Sequence, residues 1–196
     1  MRHSVTRNIT NFTSVLLVVL VFFLGCSAEK ETTEAKADPE ASPTSTVAAA
    51  ADHGKDQSPA PTFKAPYLEG GDFDLSEYLG KKAILLDWWS MNCLSCVKAI
   101  PALIDLQDRY ADDLVVVGMN VDSFSLKRLK RFLATQSFKL TYPTVIDKNL
   151  TIMKQYESSI LPTTVIIDKK GKVSYHHVGY NPGDEVAIEE HIKKVI

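Results

Sequence analysis

Beyond about residue 60 the chain alternates unbroken apolar runs with stretches whose apolar residues recur at helical spacing. The runs AILLDWW (83–89) and LVVVGMNV (114–121) are too short and too apolar for a surface helix and read as buried strands, and TTVIID (163–168) reads as a further strand. YPTVID (142–147) reads as a shorter strand. KVSYHHV (172–178) follows a KKG turn, so it should form a hairpin with the strand before it. Between these runs the period changes. VKAIPALIDLQDRY (97–110) sets Ile100, Leu103, Ile104 and Tyr110 on one side of a helix, which Pro101 should kink. SLKRLKRFLATQ (125–136) places Leu126, Leu129 and Leu133 on one face and its basic residues on another. NLTIMKQY (149–156) predicts a short helix. GDEVAIEEHIKKVI (183–196) carries acids early and lysines late, the order that complements a helix dipole, and turns Ile188, Ile192 and Val195 inward.

The predicted order is strand, helix, strand, helix, strand, helix, strand, strand, helix. Strands alternating with helices give an α/β fold, with a central mixed sheet flanked by helices and an antiparallel edge from the last hairpin. No internal repeat is visible.

The first 60 residues follow other rules. Arg2 and Arg7 precede a short apolar run (14–24), then Gly25 and Cys26. A positive start, an apolar core too short to span a bilayer and a small residue at the end read as a secretory signal. The ending FFLGC resembles a bacterial lipobox, with Phe23 where Leu is commonest. On that resemblance Cys26 becomes the acylated first residue of a lipoprotein, and its acyl chains anchor the protein to a membrane. Ser27, rather than Asp, leans towards the outer membrane if the cell has two. Residues 27–60 are Ala, Ser, Thr, Pro and charges, with no aromatic residue, Leu or Ile. Such a segment cannot bury enough apolar surface to offset its ordering entropy and reads as a disordered tether. The expected organisation is a signal (1–25), a lipidated cysteine and linker (26–60) and a folded domain (61–196).

Net charge is −2, so nothing points to nucleic acid. Three cysteines cannot all pair within one chain, and acylation of Cys26 would leave Cys93 and Cys96 as a pair. These two lie where a buried strand gives way to a helix. Unpaired N–H groups and the helix dipole there favour a thiolate at Cys93, and i, i+3 spacing puts both sulfurs on one face. One sulfur can attack a partner disulfide and the other can resolve the product. Asp87 interrupts the first strand. A carboxylate in a buried strand should hold its proton to higher pH, and it could then accept the proton of Cys96. The plainer alternative is an aspartate tilted to solvent at the strand end.

Here the folded part resembles the thioredoxin-like proteins, specifically the membrane-tethered TlpA/ResA-type thiol–disulfide oxidoreductases. The resemblance is carried by LSEYLGKKAILLDWWSMNC, VVVGMNVD, LPTTVIIDKKGKV and HHVGY in that order. It implies a thioredoxin-like fold. It implies Cys93 as nucleophile, Cys96 as resolving thiol and Pro162 in the cis form beside them. A cis proline exposes the backbone of Leu161 for strand-like pairing with a bound polypeptide. Trp88 and Trp89 are expected to pack under and beside the active site, with Trp89 as a further substrate contact, although a plain core aromatic fits one of the two equally well. Asp87 matches thioredoxin itself, whereas many TlpA/ResA-type proteins have a neutral residue there. The implied activity is a reductase of disulfides in exported proteins, for example in cytochrome c maturation. It would be fed by a membrane thiol-transfer donor and would act as a monomer with no cofactor or metal. The chain departs from the family at Asn92, where Trp is usual, and at Leu94-Ser95, where a proline-containing pair is commonest.

Three other readings stand beside this one. MNCLSC fits M-x-C-x-x-C, a pattern for Cu(I), with His176 and His177 available further on. A thiol peroxidase shares the fold, but Leu86 stands where it would want proline. A purely structural disulfide is poorly placed at an exposed helix start. Structural zinc needs four ligands, and only two cysteines are present in the domain.

The lipoprotein reading is tested by Cys26→Ser, which should move the protein from the membrane fraction to the soluble fraction. A variant that stays with the membrane removes the lipid anchor.

Overall fold

A computed structural model describes residues 58–196. The expected signal, Cys26 and most of the linker lie outside the described residues. Residues 58–60 are not linker: Ala60 donates to Gly171 O (2.9 Å), Val173 donates to Ser58 O (3.0 Å), and Ala60 is buried in the core.

The domain opens with a short hairpin that the sequence pattern did not reveal, β1 (Lys64–Pro66) against β2 (Asp72–Asp74). Then come β3 (Ala83–Trp89), α1 (Leu94–Arg109), β4 (Leu114–Asn120), α2 (Leu126–Ala134), β5 (Thr144–Ile146), α3 (Thr151–Gln155), β6 (Thr163–Ile167), β7 (Val173–Val178) and α4 (Asp184–Val195). From β3 onward the order is the predicted one. The main sheet runs β5-β4-β3-β6-β7. β3 pairs parallel with β4, and β4 with β5, while β6 is antiparallel to both β3 and β7. This is the mixed, thioredoxin-like sheet.

β3 lies at the centre, and every residue in it is buried. Its alternation assigns the two faces of the sheet. Ile84, Leu86 and Trp88 join one core with Phe63, Phe73, Met153 and Tyr156. Ala83 and Leu85 join the other with Leu103 and Leu106 of α1 and Ile188 and Ile192 of α4. Pro101 sits inside α1 without ending it, although its ring nitrogen cannot donate to the Val97 carbonyl. On α2 only Leu129 is fully buried. Leu133 packs at the margin and Leu126 is exposed, so its apolar stripe is narrower than the sequence implied. Asp147 is buried yet satisfied: it accepts from Trp88 Nε1 (3.0 Å) and from the N–H groups of Ile152 (3.0 Å) and Met153 (2.8 Å), so it starts α3 and ties it to β3. No helix among the described residues is long and apolar enough to cross a membrane.

Gly118 of β4 lets two rings close over the sheet. A Cβ there would lie 3.0 Å from Trp89 Nε1 and 3.1 Å from Tyr142 Cε2. Both rings are buried, so one of them must shift to admit it. Gly118→Ala should therefore cost about 1–3 kcal/mol of stability by overpacking, read from urea unfolding. A variant as stable as the parent would show that the rings are loosely held.

Candidate active site

β3 must leave the core abruptly. Its last residue, Trp89, lies beside Asn120 at the end of the parallel neighbour β4, where two carboxyl ends create the kind of crevice in which α/β proteins hold their sites. Ser90, Met91 and Asn92 cross that crevice and Cys93 begins α1. Their polar groups are met locally. Asp122, just beyond β4, accepts from Ser90 Oγ and from the Met91 N–H, both at 2.7 Å. It is itself held by Asn120 Nδ2 (3.1 Å), and its own N–H donates to Asn120 Oδ1 (2.8 Å). The Asn92 N–H reaches Ser90 Oγ (3.2 Å) and the Cys93 N–H reaches Ser90 O (3.1 Å). Arg128 of α2 donates to Asn92 Oδ1 at 3.3 Å.

Cys93 is the N-cap of α1, in extended conformation, and its Sγ accepts from the Cys96 N–H at 3.2 Å. Ser95 Oγ lies 3.4 Å from the same sulfur. Cys93 and Cys96 form a disulfide with Cα atoms 5.3 Å apart. Cys93 is half-buried and Cys96 fully buried. An approaching nucleophile or disulfide therefore meets Cys93 first. When the pair is reduced, the N–H that caps Cys93 favours its thiolate.

Beneath the sulfurs lies an apolar cluster of Trp89, Cys96, Ile100 and Leu129, on which Cys93 and Leu161 also pack. The structure thus brings four of the sequence-derived residues together: Cys93, Cys96, Trp89 and Leu161. The Leu161–Pro162 bond is cis, and Pro162 is buried directly ahead of β6. Its carbonyl accepts from Gly179 (2.8 Å), and Thr163 Oγ1 donates to Ile160 O (2.6 Å), which fixes this loop next to the sheet. The expectation for Trp89 as a substrate contact is corrected. Its indole is wholly inaccessible, because alternation turns it inward under α1, so it supports the sulfurs from below. Trp88 points to the opposite face, towards Asp147.

Asp87 is not at a solvent-facing strand end. It is buried on the same sheet face as Trp89, beneath α1, with Gly118 and Thr164 as its cross-strand neighbours. Thr164 Oγ1 donates to its Oδ1 at 3.0 Å, and Oδ2 has no hydrogen-bond partner. Burial pushes its pKa up from 3.8 to about 7, against the smaller opposing effect of the Thr164 hydrogen bond. A carboxyl in that range can accept and return a proton near neutrality.

Sequence reasoning missed Asp122, Ser90, Asn120, Thr164 and Arg128. Asp122 had a signal: it is the first acid after the β4 run, at the carboxyl end of a strand adjacent to the cysteine loop. The histidines of β7 lie elsewhere. His177 is buried against α4, with Nε2 3.3 Å from Asp184 Oδ2. No group of three or more His, Cys, Asp or Glu arranged to hold a metal occurs among the described residues.

A disulfide at the start of the helix that follows the central strand, a cis proline opening the neighbouring strand, and this mixed sheet define a thioredoxin-like thiol–disulfide oxidoreductase. The chain belongs to the AhpC/TSA family, whose profile matches residues 57–176. It is 39% identical over 122 residues to the thioredoxin-like protein YneN of Bacillus subtilis, covering 61% of this chain and 69% of that one. It is 31% identical over 137 residues to the thiol-disulfide oxidoreductase ResA of Bacillus thuringiensis, covering 69% and 76%. Its fold matches the crystal structure of a putative thiol:disulfide interchange protein DsbE from Chlorobium tepidum, with TM-score 0.65, 29% identity and coverage of 71% and 96%.

The raised pKa of Asp87 has a consequence for stability. Between about pH 4 and about pH 7 the folded protein keeps a proton that the unfolded chain releases. The stability this lends is fully present below 3.8 and is lost as pH rises through about 7, an upper-bound change of roughly 4 kcal/mol. Asp87→Asn cannot ionise. It should abolish that part of the pH slope and leave the oxidised protein more stable than the parent at pH 8. Urea titrations at pH 4 and pH 8 check this, and an unchanged slope would contradict the buried assignment.

Proposed function

We propose that the protein is an extracytoplasmic, membrane-tethered reductase of disulfides in exported polypeptides. The observation that carries this reading is the half-buried Cys93 sulfur at the α1 N-cap, disulfide-linked to a fully buried Cys96. In the forward reaction the Cys93 thiolate attacks a substrate disulfide. A Cys93–substrate disulfide forms and one substrate thiolate leaves. Asp87 takes the proton of Cys96, and Cys96 Sγ attacks Cys93 Sγ. The Cys93–Cys96 bond forms, the mixed disulfide breaks, and the second substrate thiolate leaves with two electrons gained by the substrate. A membrane thiol-transfer donor returns the pair to the dithiol state. Leu161 and Pro162 line the approach to Cys93, where the backbone of Leu161 pairs with the substrate strand.

The tether rests on the signal pattern of residues 1–25, the lipobox-like FFLGC and acylation of Cys26, with 26–57 as the spacer. Apocytochrome c is the substrate that the likeness to ResA-type proteins favours.

Two measurements test the reaction. Cys96→Ser should trap a lasting mixed disulfide with substrate, and Cys93→Ser should trap none. The reduction potential of the pair should lie near thioredoxin's value of about −270 mV, and a value near about −120 mV would make the protein a disulfide donor instead.

A further inference from the structure

The rim of the site exposes more apolar surface than a monomer's single scattered residues require. Leu94, between the two cysteines, is 70% exposed; Phe124 is 92% and Ile160 is 59% exposed. Each belongs to a different segment anchored at the sulfurs. Phe124 lies two residues beyond Asp122, which holds the Met91 N–H and Ser90 Oγ. Ile160 directly precedes Leu161, which packs on the cluster of Cys93 and Cys96.

Beside this rim runs α2, whose sequence LKRLKRFLA has four basic residues and no acid. Lys127, Arg128 and Arg131 lie within one turn of each other and are exposed. Among the described residues none of the three has a carboxylate within ion-pair distance, whereas Lys130 is engaged by Glu69 at 3.0 Å. Arg128 joins this face to the active-site loop through Asn92.

We infer that Leu94, Phe124 and Ile160, with the basic face of Lys127, Arg128 and Arg131, form a docking surface for polypeptide disulfides flanked by an apolar side chain and acidic residues. The inference rests on the reductase reading and adds a substrate class to it. The occupant follows from charge and place. Three cations without a carboxylate partner lie on the helix that Phe124 precedes by two residues, and Arg128 ties that helix to Asn92, the residue next to Cys93 of the disulfide. An acidic, apolar segment that carries its own disulfide satisfies all of these at once. Aromatic and apolar residues supply contact area at the centre, and charges at the edge steer the encounter.

The test uses the reduced, detergent-solubilised full chain and three substrates. Two are peptides with one disulfide each, identical but for Glu or Lys flanks, and the third is hydroxyethyl disulfide, which is small and neutral. The parent should favour the Glu peptide roughly tenfold in kcat/KM at low salt, the lower end of electrostatic steering, and lose that preference as salt rises. Lys127→Glu with Arg131→Glu should reverse the preference. Phe124→Ala should slow both peptides. Neither variant should change the rate on hydroxyethyl disulfide, which also certifies folding. Equal rates on both peptides with the small disulfide still reduced would overturn the docking surface and leave the reductase reading intact. Equal inhibition of both by phosphatidylglycerol vesicles would then assign the basic face to lipid. Failure to reduce the small disulfide would overturn the reductase reading itself.

Discussion

The structure depends on one constraint: a strand buried on both faces must leave the core and become a helix within four residues. β3 is closed in by β4 on one side, β6 on the other, and apolar clusters above and below. Everything between Trp89 and Cys93 must satisfy its polar backbone without a partner strand. Asp122, Ser90 and the sulfur of Cys93 together accept the N–H groups of Met91, Asn92 and Cys96. The sulfur therefore sits where it does for a structural reason before any chemical one. A helix start needs an acceptor at its N-cap, and here the acceptor is the sulfur we propose as nucleophile. The groups that end the strand also aim the reagent.

Asp87 shows the opposite economy. It occupies the most heavily packed strand, holds one hydrogen bond and leaves Oδ2 without a partner. An ionised carboxylate in that setting destabilises the fold, and a neutral one does not. A domain selected only for stability would place an apolar residue here, as Leu85 and Leu86 beside it illustrate. The buried group instead sits on the face covered by α1, the helix that carries Cys96. The role we propose for it, taking a proton near neutrality in a dry site, needs both of its properties: desolvation enough for its pKa to rise, and a hydrogen bond to keep its position.

Which parts the sequence foretold follows the range of the forces involved. The β3–α1–β4 core and the final hairpin were readable because period and β-branched runs are local signals, and β3 and its burial emerged as expected. The β1–β2 hairpin was not readable, since three-residue strands such as DFD carry no periodicity. Residues 58–60 looked like linker by composition, yet they add to the edge of the β6–β7 hairpin through backbone bonds that composition does not encode. The site divided in the same way. Cys93, Cys96 and Pro162 announced themselves through spacing and through likeness to a family. Trp89, expected beside the active site as a substrate contact, lies a layer deeper, because strand alternation sends it under α1. Asp122 and Arg128 contact the loop from 31 and 36 residues away. Such contacts exist only after the sheet has formed.

The direction of electron flow turns on the charges around Cys93, because whatever stabilises its thiolate stabilises the dithiol and makes the disulfide more oxidising. Three features act that way: the Cys96 N–H, the helix terminus, and the Arg128 charge transmitted through Asn92. Two carboxyls bear on it from the other side. The Asp122 carboxylate is bonded within the same loop, through Met91, two residues before Cys93. Asp87, in the low-dielectric layer beneath α1, opposes the thiolate only where it has lost its own proton, as pH rises through about 7. Asn92, Leu94 and Ser95 add no charge to this set. Their departure from the family's usual residues bears instead on shape and contact at the rim, where Leu94 stands 70% exposed beside the sulfur.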